Sequence, residues 1–124
     1  MFPITATSEK ERVACPVRNV LARINGKWQV LILLGLEDGP LRFAAIRRLI
    51  GDITQRVLTE NLRSLERDGY LTRTVKAGPP VEVSYALTPL GRSLLAVLKP
   101  LVAWAADHHE EVSRARSRFD NRDM

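Results

Sequence analysis

Positively charged side chains are concentrated in the middle third of this 124-residue sequence. Residues 39–80 hold eight basic and four acidic groups, which accounts for four of the five net positive charges of the chain. Seven of the eight basic groups are arginines. The planar guanidinium group forms paired hydrogen bonds with phosphate and with the edge of guanine. The cluster therefore indicates a surface that binds a polyanion.

A polar face is predicted on one helix inside this segment. Leu58, Leu62 and Leu65 recur at the spacing of a buried stripe, so the helix, which runs to about Asp68, turns its other residues to solvent. Side chains of the polar residues can hydrogen-bond to base edges and to phosphate. The predicted contact residues of this helix are Thr54, Gln55, Arg56, Thr59 and Arg63. On charge alone, a merely solvated helix surface is an equally good interpretation.

Four more basic residues flank this helix in the sequence. Arg47 and Arg48 belong to the preceding predicted helix and suit phosphate contacts, which position a protein on nucleic acid without reading its sequence. Arg73 and Lys76 lie in the first of two strand-like runs that follow. We predict phosphate contacts for these two as well, with simple solvation as the alternative.

The only cysteine, Cys15, directly precedes Pro16 at a predicted helix start. The amide dipole of a helix start stabilises a thiolate, and Arg18 is close in sequence. Most lone cysteines are buried and inert. The residues alone leave both a structural cysteine and a reactive, redox-sensing cysteine open.

The composition argues against an enzyme. One cysteine cannot form an intrachain disulfide or a thiolate zinc cluster, and His108 and His109 lack further ligands at metal-binding spacing. We found no glycine-rich phosphate loop and no nucleophile–base pair. We therefore expect no catalytic activity, no metal and no cofactor.

The longest uninterrupted apolar or glycine run, residues 30–36, has seven residues, against roughly 20 for a membrane-spanning helix. The first dozen residues contain no apolar signal region. We therefore expect a cytoplasmic protein without membrane contact.

Hydrophobic periodicity predicts a series of elements that would position these residues. We expect two helices at residues 16–24 and 27–38, a brief extended piece at 41–43, and two more helices at 44–50 and 54–68. Two strands at 70–76 and 81–87 and a long helix from residue 88 onward complete the order. Asp52 with Gln55 forms a possible capping box for the fourth helix, and Thr54 is the competing N-cap. We expect a flexible arm at residues 1–12, one domain at 13–107, and a charged, frayed tail at 108–124.

This order predicts a mainly α (α+β) fold, a winged helix-turn-helix. In that fold the second helix of the turn enters the major groove and a hairpin contacts the flanking phosphates. The chain also resembles the HxlR family of bacterial transcription regulators, which are related to MarR-type regulators. The resemblance covers roughly residues 15–104 and is carried by seven segments: 15–17, 26–28, 39–43, 53–59, 62–66, 68–69 and 85–91.

The resemblance implies a homodimer that regulates transcription on near-palindromic double-stranded DNA. In several such regulators the cysteine at the position of Cys15 senses electrophiles or oxidants, so a small electrophile is a candidate effector, with a different, unidentified effector as the alternative. N- and C-terminal helices would form the dimer interface, for which the apolar pattern supplies Val17, Val20, Leu21, Leu94, Leu98, Leu101 and Trp104. Trp28 and Trp104 could instead line an effector pocket, although core and interface positions are more usual for tryptophan.

Two positions depart from the family pattern. Ala45 stands where an acidic residue is usual, and Glu82 stands where a lysine or arginine often precedes the second strand of the hairpin. A carboxylate repels phosphate, so we expect the returning strand to stay off DNA. The alternative function is a winged-helix module for protein or RNA binding without operator specificity.

Overall fold

The computed structural model describes residues 8–9, 16–21 and 26–122. The helices and strands follow the predicted order and confirm the mainly helical winged helix-turn-helix. Their bounds are α1 (Pro16–Leu21), α2 (Gly26–Gly35), β1 (Leu41–Arg42), α3 (Phe43–Ile50), α4 (Gln55–Arg67), β2 (Leu71–Lys76), β3 (Glu82–Leu87) and α5 (Pro89–Arg122).

The three strands form one antiparallel sheet in the order β1-β3-β2. In the β2–β3 hairpin, which we call the wing, Arg73 lies opposite Tyr85 and Lys76 lies opposite Glu82. Successive side chains of a strand point to opposite faces of the sheet. Because Leu71 is buried in the core, the face that it shares with Arg73 and Tyr85 is turned towards the helices.

The core lies where α2, α3 and α4 meet the sheet and the start of α5. The predicted stripe of α4 is buried, with Leu58, Leu62 and Leu65 at most 1% exposed. The other fully buried large side chains of the core belong to α2, α3 and the turn after α2: Ile32, Leu33, Leu36 and Ile46. α2 is thus the central core helix that its apolar density predicts.

The start of α4 is capped by Thr54, not by Asp52. The backbone N–H of Val57 donates to the Thr54 hydroxyl oxygen at 3.2 Å. The carboxylate of Asp52 instead faces the ammonium of Lys27 at 3.4 Å. The end of α4 is as predicted: Gly69 has a φ of +84°, a conformation that favours glycine.

The start of α5 is fixed against the turn that follows α4. The Thr88 hydroxyl donates to the carbonyl oxygen of Gly69 at 2.6 Å and accepts the N–H of Gly91 at 3.0 Å. The backbone N–H of Thr88 donates to the carbonyl oxygen of Tyr70 at 3.1 Å. Gly91 is itself buried, and α5 approaches the backbone of Tyr70, in the turn after α4, closely at this point.

The prediction that the chain frays after His108 is wrong for residues 108–122. α5 continues through Pro100 to Arg122 and is 34 residues long. Its first turns are anchored by the buried side chain of Leu95, and Glu110 and Arg114 form an ion pair at helical i,i+4 spacing. No helix in the described part of the chain is both long and apolar enough to cross a membrane.

Candidate nucleic-acid interface

The polar face of α4 is exposed along its whole length. Gln55, Arg56, Thr59 and Arg63 are all exposed, whereas the leucine stripe on the opposite side is buried. The Thr59 hydroxyl donates to the carbonyl oxygen of Gln55 at 2.8 Å. The structure therefore brings together the five residues predicted for this helix, with Thr54 at its N-cap.

Arg56 differs from its neighbours because it has a partner within the helix. Its guanidinium Nε lies 3.1 Å from a carboxylate oxygen of Glu60, one turn further on. Both side chains are largely exposed, and exposed ion pairs of this kind are weak. Contact with a phosphate or a base would have to compete with Glu60 for this guanidinium.

The two arginines of α3 lie at its C-terminal end, next to the turn that leads into α4. The Nε of Arg47 donates to the carbonyl oxygen of Ile53 at 3.4 Å, and so braces that turn. Arg48 is exposed. Arg47 thus has a structural contact in addition to its predicted phosphate contact.

The two predicted wing residues lie on opposite faces of the hairpin. Arg73 shares the face of Leu71 and is turned towards α4, while Lys76 shares the outer face with its cross-strand partner Glu82. Sequence reasoning grouped these two residues because they are close in the chain. The alternation of side chains along β2 separates them, because they are three residues apart.

Glu82 is paired with Arg42 of the neighbouring strand β1. A terminal guanidinium nitrogen of Arg42 lies 2.7 Å from a Glu82 carboxylate oxygen. The carboxylate expected to repel phosphate therefore has a counter-charge beside it. No local sequence signal shows this pair, because its members meet only through the β1–β3 pairing.

A recess lies between α4 and the wing. It is lined by Thr59, Arg63, Glu66, Arg73 and Tyr85. Sequence reasoning named three of these and missed two. The spacing of residues 59, 63 and 66 on one helix face could have indicated Glu66. Tyr85 is found only from the register that places it opposite Arg73.

The predicted dimer residues divide into two groups. Val20, Leu21, Leu101 and Trp104 are exposed, between 47% and 61%. Leu94 and Leu98 pack partly against the core of their own chain. The side chain of Val17 and the whole of Cys15 lie outside the described residues.

The aromatic and histidine side chains form local contacts. Trp28 packs against the core, with the Lys27 ammonium 4.2 Å from the centre of its ring. The ring of Trp104 stacks on that of His108 at 4.4 Å, and Nδ1 of His108 donates to the carbonyl oxygen of Trp104 at 2.8 Å.

Comparison with known proteins finds the same architecture. Residues 23–113 match the model of a family described as HxlR-like helix-turn-helix. YtfH of Escherichia coli (strain K12), named as an HTH-type transcriptional regulator, is 38% identical over 102 residues, which are 82% of this chain and 81% of YtfH.

Two solved structures are also similar. The transcriptional regulator ytfH from Salmonella typhimurium matches with a TM-score of 0.74 and 36% identity, over 84% of this chain and 93% of its own. The redox regulator HypR in its oxidised form matches with a TM-score of 0.69 and 40% identity, over 75% of this chain and 96% of its own.

Proposed function

Because the chain belongs to the HxlR-like helix-turn-helix family, we propose that it is a transcriptional regulator that binds double-stranded DNA as a homodimer on a near-palindromic operator. The observation that carries this proposal is the exposed polar face of α4, which is set on a buried leucine stripe. The protein acts by binding and not by catalysis.

In this proposal α4 enters the major groove and its N-terminal residues contact the base edges. Gln55 is exposed in the first turn of α4 and can form two hydrogen bonds with adenine. Arg47 and Arg48 contact phosphates from α3, and the wing contacts the flanking backbone. The affinity comes mainly from the arginines, and the sequence selectivity comes from the start of α4.

The partner of the exposed side of α5 is a second copy of this chain. From Leu94 to Phe119, apolar residues and His108 recur at alternating spacings of four and three residues, the 3.5-residue repeat of paired helices: 94, 98, 101, 105, 108, 112, 115 and 119. Leu101, Trp104 and Phe119 are more than half exposed. Val17, Val20 and Leu21 of α1 would add to the same interface.

Charge beside this repeat favours an antiparallel pair. Three acidic residues are followed along α5 by three arginines: Asp107, Glu110, Glu111, Arg114, Arg116 and Arg118. An antiparallel arrangement places the acidic segment of one protomer opposite the basic segment of its partner. A parallel arrangement would place like charges together.

Cys15 is the proposed effector site. A thiolate at this position can add to a quinone: an S–C bond forms as a C=C π bond of the ring breaks, its electron pair moves to the carbonyl oxygen, and that oxygen takes up a proton from water. Because Cys15 directly precedes α1, an adduct there would disturb the interface that sets the distance between the two α4 helices. These helices must lie about one DNA turn (~34 Å) apart to meet both half-sites.

The thiol response is tested by a gel-shift titration with and without a quinone. The electrophile should lower the operator affinity of the wild type and leave Cys15→Ser unchanged, with equal affinities for the two reduced proteins. Equal sensitivity of both proteins, or of neither, would return Cys15 to a structural role.

The proposed DNA-reading function is tested by comparing DNA from upstream of the protein's own gene with a random duplex. Gln55→Ala should cost about 1–3 kcal/mol on the upstream DNA and much less on the random duplex. Lys76→Ala, the phosphate-contact control, should weaken both equally and reduce the salt slope by about one. Binding that does not differ between sequences, or that prefers RNA, would contradict an operator-binding regulator.

A further inference from the structure

Two arginines in the recess between α4 and the wing have no charged partner in the described part of the chain. Arg42, Arg56 and Arg114 form ion pairs, whereas the side chains of Arg63 and Arg73 form no ion pair and no hydrogen bond with another described residue. Both side chains are exposed and line the same recess. Their guanidinium groups are therefore available to an external anion.

The backbone fixes the direction of each arginine separately. Arg63 lies on the same face of α4 as Thr59 and Glu66, at spacings of four and three residues. Arg73 lies opposite Tyr85 on the sheet face that is turned towards the helices. The two cationic groups thus approach one space from two different elements.

We infer that this recess binds one tetrahedral oxyanion between Arg63 and Arg73, and that its occupant in the complex is a phosphodiester of the DNA backbone. The inference rests on the proposed function. With α4 in the major groove and the wing beside it, the sugar-phosphate strand that separates the two grooves passes between them. Guanidinium groups bind phosphate through paired, charge-assisted hydrogen bonds.

Glu66 adjusts the strength of this site. Its carboxylate lines the recess with the two arginines, which leaves a local charge of one positive unit. The carboxylate attracts the guanidinium groups and repels a phosphate. Replacing Glu66 by glutamine should therefore strengthen anion binding, while it keeps a side chain of similar size.

The assignment changes the expected role of Arg63. Replacing an arginine that reads a base lowers the affinity of the protein mainly for its preferred DNA sequence. Replacing an arginine that binds phosphate lowers the affinity equally for all sequences. Arg63 belongs to the second class, and Gln55 carries the selectivity.

The test measures binding to a mixed-sequence duplex by fluorescence anisotropy over a range of salt concentrations. Arg63→Ala and Arg73→Ala should each weaken binding about tenfold at low salt and lower the magnitude of the slope of log K against log salt, by at most about 0.9, the contribution of one phosphate. The double variant should lose less than the product of the two single losses, because both residues hold one phosphate. Glu66→Gln should bind more tightly than the wild type.

Arg67→Ala is the matched control, since Arg67 is an exposed arginine of α4 outside the recess. It removes the same charge and should leave the slope unchanged. Arg73→Lys keeps the charge without the paired donors and should show an intermediate loss. If the Arg63 and Arg73 variants behave like Arg67→Ala, the inference is wrong.

Calorimetric titration with sulfate, without DNA, identifies the source of the anion. Sulfate binding that disappears in Arg73→Ala would show that the recess also takes free oxyanions. No sulfate binding, together with the DNA losses above, would restrict its occupant to the DNA backbone. Because these measurements use DNA of mixed sequence, their outcome does not depend on the outcome of the selectivity test with Gln55→Ala.

Discussion

A methyl group added at Gly91 should destabilise the whole domain. Gly91 is in the first turn of α5, and a Cβ there would overlap the carbonyl oxygen of Tyr70 and lie 3.3 Å from a methyl carbon of Leu87. The obstacle is backbone, which cannot rotate away as a side chain can. The Tyr70 carbonyl also accepts the N–H of Thr88, so moving it disturbs the cap of α5.

The expected magnitude is a balance of three effects. Overpacking a tight site costs about 1–3 kcal/mol, and weakening the hydrogen bond to Tyr70 costs about 1 kcal/mol. Replacing glycine by alanine inside a helix gains up to about 1 kcal/mol. Gly91→Ala should therefore lower the free energy of unfolding by about 1–3 kcal/mol.

The assay is urea denaturation followed by tryptophan fluorescence, with Gly35→Ala as the matched control. Gly35 is also helical, but its nearest obstacle is the end of the Leu49 side chain at 2.9 Å, and Leu49 is 61% exposed. That side chain can turn into solvent, so Gly35→Ala should be neutral or slightly stabilising. Equal effects of the two substitutions would refute the reasoning.

Three further predictions concern single side chains. Thr54→Ala should lower the free energy of unfolding by about 1 kcal/mol in the same assay, whereas Thr54→Ser should retain most of the stability, because only the hydroxyl caps α4. Equal losses of stability in the two variants would assign the effect to the methyl group. Glu82→Gln should tighten binding to a mixed-sequence duplex and make it more salt-dependent, because the substitution releases the Arg42 guanidinium from its ion pair. Unchanged binding would place the Arg42 side chain away from DNA. Leu101→Asp should shift the protein towards monomer in sedimentation equilibrium, and a dimer of unchanged strength would exclude Leu101 from the interface.

Local patterns in the sequence were sufficient for the order of the elements and for the polar face of α4. Leu58, Leu62 and Leu65 are three and four residues apart, so helix geometry alone places them on one side and places Gln55 and Arg63 away from them. The seven segments that resemble the HxlR family indicated the family to which the chain belongs. The sequence also located the excess positive charge, because charge counts do not depend on the fold.

Where two local sequence signals disagree, only the structure shows which of them prevails. Both Asp52 and Thr54 are good capping residues; in the structure Thr54 caps α4, and Asp52 pairs with Lys27, which is 25 residues away. The charged composition after His108 suggested fraying, yet the helix continues to Arg122. Helix formation is cooperative, so a helix anchored at one end extends into residues that would not start one.

The geometry of the wing and its recess depended entirely on tertiary structure. Arg73 and Lys76 are three residues apart in β2, so strand geometry alone places them on opposite faces, but which of the two faces is turned towards α4 is decided by the tertiary structure. Arg42 meets Glu82, and Arg63 meets the space in front of Arg73, only after distant segments pair. The sequence determined which groups are present and which helix face carries them. The long-range hydrogen bonds of the sheet and the packing of α4 beside it decided which groups act together.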